Sequence, residues 1–144
     1  MSESKHKYFL QQLGFLNAEI NALQEEHDSI KGAFIKSTDY TTERVDSSKT
    51  NPNEMKLIRL TEKSALIDEK IDELVTLKIK ASELFDLIDN QKFRIILREH
   101  YINGKDLKEI ADILHYGERH TQRLHGYALL EFEKVYNKVI VEVI

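Results

Sequence analysis

Residues 97–132 read LREHYINGKDLKEIADILHYGERHTQRLHGYALLEF, and the spacing of apolar residues here decides the fold class. Asp106 stands before Leu107 with Glu109 three residues on, the start signal of a short helix over Leu107–Leu114. Gly104 sits where the preceding helix, about Gln91 to Asn103, needs a left-handed cap. Beyond His115 and Tyr116, the residues Thr121, Leu124, Ala128 and Phe132 recur at steps of three and four. They form the buried face of a last helix that begins near Gly117 and runs to about Tyr136 or beyond. Ala111 offers the small side chain that a close crossing of the two helices requires. Two helices joined by a tight turn make the pattern of a helix-turn-helix, whose second helix lies in the major groove of duplex DNA. Glu118, Arg119, Gln122 and Arg123 fall on the outward side of that helix. Arginine bonds guanine bidentately and glutamine does the same with adenine, so this face suits base-edge recognition. The competing reading of these residues is a solvated charged face.

Working upstream, Leu13, Leu16, Ile20, Leu23, His27, Ile30 and Phe34 form one stripe on a helix expected from Lys5 to Lys36. The segment Ser37–Asn53 is rich in Ser, Thr, Asp and Asn and reads as a long polar loop. A second long helix, about Asn53 to Asp89, carries Leu57, Leu60, Ile67, Ile71, Leu74, Ala81, Phe85 and Ile88 on one face. The two stripes suit burial against each other in an antiparallel hairpin, and equally a coiled-coil seam with a second chain. The expected fold is therefore all-α: a helical hairpin module over 1–89 and a helix-turn-helix module over 90–144 with an apolar C-terminal tail. That tail, VYNKVIVEVI, is rich in β-branched residues and is expected to pack on helical neighbours or on a second subunit.

The chain of 144 residues has one proline, five glycines and 32% charged residues, a composition that favours helix. Net charge is −4, but it is unevenly spread. Residues 1–90 hold 12 Lys and Arg against 17 Asp and Glu, whereas residues 91–144 hold 9 against 8. Any DNA contact belongs to the C-terminal part, and non-specific affinity should be weak because few phosphates are neutralised. Dimerisation or a protein partner would then raise affinity.

The run GKDLKEIADIL-HYGERHTQRLHGYALLEFEK resembles the promoter-reading C-terminal region of bacterial sigma factors. It is similar, more closely still, to small phage and prophage regulators of the autolysin-regulatory and late-activator type. The likeness covers about 40 residues and rests on EIA, YGER, RLHG and AL. It implies a transcription regulator acting at a promoter, with double-stranded DNA and RNA polymerase as partners. It also implies that Glu118, Arg119 and Arg123 read bases, that His120 and Gln122 touch phosphate or groove edge, and that Lys105 and Lys108 contact backbone phosphate. The sequence departs from the pattern at His115 in place of the turn glycine, Gly117 in place of a serine cap, and Gly126 inside the recognition helix.

Cysteine is absent, so disulfides, thiolate metal sites and cysteine nucleophiles are excluded. Four histidines (His100, His115, His120, His125) lie within 26 residues, but their spacing does not converge; surface or DNA-facing roles are expected, with no metal. No cofactor is expected. There is no phosphate-binding glycine loop, no Ser/His/Asp signature and no H-E-x-x-H, so the chain is not expected to be an enzyme. The apolar runs are too short to span a bilayer, and the N-terminus lacks the core of a secretory signal; a cytoplasmic protein is expected. The alternative function is a protein-interaction or assembly adaptor, binding polymerase or serving as a phage DNA-packaging subunit, without base reading.

Overall fold

The computed structural model describes residues 5–41 and 52–143, with side chains for 5–36 and 52–140. Those residues are helical apart from short turns, and no strand occurs among them. The elements are α1 (Lys5–Thr41), α2 (Pro52–Asp86), α3 (Gln91–Leu97), a π-helical segment (Arg98–Ile102), α4 (Leu107–Leu114) and α5 (Glu118–Val143).

Two boundaries differ from expectation, each for a local reason. Residues 37–41, expected in the polar loop, continue α1. They contain no glycine or proline, and adding a residue to an existing helix costs far less than starting one. The remainder of that loop, 42–51, lies outside the described residues. Pro52 opens α2, where its fixed φ and missing N–H do no harm. The helix then stops at Asp86, short of the expected Asp89. Leu87 and Ile88 instead donate to the carbonyls of Leu84 and Phe85, both at 3.1 Å, a tightening of the last turn. Asn90 draws the chain into α3 by accepting the N–H groups of Lys92 and Phe93 on its side-chain oxygen. Arg94 Nη1 donates to the carbonyls of Ile88 and Asp89 at 2.6 and 2.8 Å, satisfying the acceptors of this connection.

The residues divide into two units, each compact in itself: Met1–Phe15 with Leu74–Ile144, and Leu16–Glu73. In the first, Leu10, Leu13, Phe85, Ile96, Leu97, Ile110, Thr121 and Phe132 are fully buried. Each apolar member stabilises the fold by roughly 1.5–3 kcal/mol relative to exposure. Phe132 is the aromatic hub: its ring centroid lies 5.4 Å from Phe85 edge-on, 6.3 Å from Phe9 and 5.9 Å from Tyr136. The first turns of α1 therefore pack against the second half of α5, and His6 is buried there, 3.8 Å from Glu133. Of the expected apolar tail, Val135, Tyr136, Val139 and Ile140 are half-buried, with Tyr136 5.6 Å from Phe9. Docking on helical neighbours is thus what the first part of the tail does.

In the second unit, Leu16, Ile20, Leu60 and Ile67 are buried. Lys70 pairs with Glu19 at 3.1 Å and Lys63 with Glu26 at 3.2 Å, so a step of one heptad up α1 is a step of one heptad down α2. The pairing is antiparallel. Ile30 and Leu57, expected on the buried stripes, are 46% and 53% exposed. A seam between two helices covers only about two positions in seven, so a stripe wider than that leaves its flanks in solvent.

Candidate functional site

The turn between α4 and α5 is built by backbone chemistry legible in its residues. Asp106 accepts the N–H of Glu109 at 2.8 Å while the Glu109 carboxylate accepts the N–H of Asp106 at 3.3 Å, the reciprocal cap expected from the spacing. At the other end of α4, His115 adopts a left-handed conformation with φ 61°. Its N–H donates to Asp112 at 3.3 Å and the N–H of Tyr116 donates to Ala111 at 3.0 Å, the pair of bonds of a Schellman cap. Histidine fills the place usually taken by glycine, at some steric cost. α5 then starts without a side-chain cap from Gly117, whose carbonyl accepts both the N–H and the hydroxyl of Thr121 at 3.0 Å. Because Thr121 is fully buried, this bond lets a hydroxyl sit in the core satisfied.

The buried side of α5 is Thr121, Ala128 and Phe132, with Leu124 half-buried, as the spacing predicts. Its opposite side carries Glu118, Arg119, His120, Gln122 and Arg123, all exposed. Among the described residues, neither Arg119, Gln122 nor Arg123 forms an ion pair or side-chain hydrogen bond. Two guanidinium groups and an amide therefore present their full donor sets to solvent from about the first two turns of one helix. The same face continues through Gly126 to Tyr127 and Leu130, which are 56% and 55% exposed. A Cβ added at Gly126 would meet nothing within 4 Å, so packing within the protein does not require glycine there.

Lys108 is exposed on α4 and unpaired among the described residues. Lys105 is placed differently. It is half-buried and its ammonium lies 3.0 Å from Glu99, whose carboxylate also accepts from the side-chain amide of Asn103. Those two hydrogen bonds, Asn103 first, hold the Glu99 carboxyl below the usual carboxylate range. Lys105 thus serves the loop internally, and its charge is countered before any ligand arrives.

The histidines were expected at the surface or facing DNA, and two of them are not free there. His100 Nδ1 lies 2.8 Å from the carbonyl of Lys105, an acceptor only, so the ring donates from Nδ1. His125 Nε2 lies 2.9 Å from the Tyr101 hydroxyl, and the His100 and His125 rings stand 5.1 Å apart. Burial, then the neighbouring His100, lowers His125 to about 4, and burial raises Tyr101 to about 12. Both groups are neutral in the folded chain near neutrality. Widening of the helix at Arg98–Ile102 is what turns His100 and Tyr101 toward α5; no motif announces it. His120 is exposed, its ring edge-on to Tyr116 at 4.9 Å.

No group of three or more His, Asp or Glu among the described residues is arranged to hold a metal. No helix among them is long and apolar enough to cross a membrane. The chain matches no protein-family model, no curated protein and no solved structure.

Proposed function

We propose that the chain is a sequence-specific DNA-binding transcription regulator. In this reading α4 and α5 are the two helices of a helix-turn-helix like that of the sigma-factor C-terminal region, and α5 lies in the major groove. The observation that carries the proposal is the pairing of faces on α5: Thr121, Ala128 and Phe132 are buried, while Arg119, Gln122 and Arg123 are exposed and unpaired among the described residues. Two guanidinium groups and an amide left with their donors free on one helix face match what base-edge recognition requires. Lys108 and His120 flank the base-reading residues and suit phosphate contacts. The likeness to phage and prophage regulators supports the same assignment. Leu16–Glu73, with its exposed Ile30, Leu57 and Ile58, would supply dimerisation or contact with RNA polymerase. Titration of the chain onto the DNA upstream of its own gene, with random-sequence competitor, tests the reading: binding must survive competitor in excess.

The adaptor reading draws on a different observation. Tyr127 and Leu130 extend the outward face of α5 with apolar surface, and the net charge of −4 disfavours a purely electrostatic hold on DNA. An adaptor would lose all binding to the competitor, and a packaging subunit would form ring-sized oligomers in light scattering.

A further inference from the structure

We propose that Lys92, Tyr116 and His120 together form a contact for a backbone phosphate of duplex DNA, a second grip set beside the base-reading face of α5. This rests on the DNA-binding reading above and adds α3 to the interface, an element that nothing in the sequence pattern points to.

The three side chains come from three elements: the second residue of α3, the α4–α5 turn, and the first turn of α5. Lys92 Nζ lies 5.3 Å from the centre of the Tyr116 ring, and that ring meets His120 edge-on with centroids 4.9 Å apart. They form a short column whose last member, His120, follows Arg119 in the chain. Lys92 is exposed, and its ammonium has no carboxylate partner among the described residues. Lys56, Lys78, Lys108 and Lys138 likewise face no carboxylate among the described residues, so what sets Lys92 apart is its seat over an aromatic ring with further donors beside it.

An ammonium over a ring face is attracted by the ring quadrupole, about 0.5–1 kcal/mol at an exposed site, yet keeps its charge and its N–H donors. It is thus restrained in position without being neutralised. Lys80 sits over Phe9 at 5.8 Å in a similar way, so stacking alone does not mark a ligand contact. The Lys92 column differs in carrying further donors. The Tyr116 hydroxyl has no hydrogen-bond partner among the described residues, and the His120 ring is exposed. A cation with a hydroxyl and an imidazole beside it suits an oxygen-rich monoanion. Because the column adjoins the first turn of α5, that anion is a phosphate flanking the bases which Arg119 and Arg123 face. Contacts of this kind carry no sequence information but fix the register in which a helix enters the groove.

The test is binding of the full chain to a duplex that the wild type prefers, measured at several salt concentrations beside a scrambled duplex. Lys92→Ala is expected to weaken binding severalfold to both duplexes, leave their ratio unchanged and flatten the salt slope by about 0.9, one phosphate's worth of counterion release. Lys92→Arg should restore the slope, and Tyr116→Leu should weaken both duplexes alike by releasing the ammonium. Wild-type affinity and slope in Lys92→Ala, or a changed ratio between duplexes, would overturn the contact while leaving the DNA-binding reading intact. If the wild type itself binds neither duplex, the reading of the preceding subsection fails and takes this contact with it.

Discussion

The Tyr101 hydroxyl and His125 Nε2 lie 2.9 Å apart, tying the π-helical segment to the N-terminal third of α5 on the side away from its exposed arginines. The bond links residues 24 apart in sequence and holds the presenting helix against its support. Both partners are neutral when folded, since burial works against imidazolium and phenolate alike.

Stability should therefore fall at both ends of the pH range. The folded chain holds His125 at about 4, below the ordinary value of 6.5, so only the unfolded chain takes up this proton between those values. The stabilising contribution is complete above about 6.5 and is lost as pH falls toward 4. Tyr101 acts in the opposite sense: unfolded tyrosine ionises near 10 and the folded one at about 12, so stability is lost between them as pH rises. Denaturant midpoints across pH should show both declines. In His125→Asn the decline between pH 6.5 and 4 should be smaller than in the wild type; an unchanged acid decline contradicts the assignment.

His115 holds the turn in a left-handed conformation that favours glycine. His115→Gly is expected to match or raise stability, by at most about 1 kcal/mol, because the strain relieved is partly offset by the freedom glycine gains when unfolded. His115→Val should destabilise by about 1–2 kcal/mol, since a β-branched side chain resists positive φ. Equal stability of the Gly and Val variants in urea would show that the turn is not held as described.

Gly126 lies on an open helical face, so Gly126→Ala should stabilise the chain by about 0.5–1 kcal/mol in thermal unfolding. If the groove wall or a phosphate approaches the helix here, the same substitution weakens DNA binding. A variant that is more stable and binds DNA as well as the wild type would mean that nothing approaches α5 closely at this point.

Phe132→Ala removes the ring on which Phe9, Phe85 and Tyr136 converge and should cost about 3–5 kcal/mol. Asp106→Ala, which removes one half of a surface cap, should cost only about 0.5–2 kcal/mol. Chemical denaturation of both variants checks the order, which a peripheral Phe132 would reverse.

What could be read from the sequence was what local chemistry sets. Asp106 with Glu109, Gly104 with its φ of 72°, and the three-and-four spacing of Thr121, Ala128 and Phe132 each act within a turn or two, and each lies where that spacing puts it. The exposure of Arg119, Gln122 and Arg123 followed from the same periodicity. What depends on distant partners was not legible. Lys105 looks like any cation near a helix start until Glu99 is seen beside it, and His100 and His125 look dispersed until the π-helical turn brings them together. Lys92 gave no signal, because its neighbours Tyr116 and His120 are more than twenty residues away in the chain. Nor was the connection after α2 legible, where Arg94 reaches back to the carbonyls of Ile88 and Asp89, a pair of bonds that no propensity encodes.

The central claim, that the outer side of α5 reads bases, is tested most directly by selecting bound duplexes from a random pool with the wild type and Arg123→Ala in parallel. The account predicts a defined wild-type consensus, and in the variant the same consensus relaxed at one base pair, with a loss there of about 1–3 kcal/mol. A wild-type pool that stays random, or a variant that weakens every sequence equally, contradicts it.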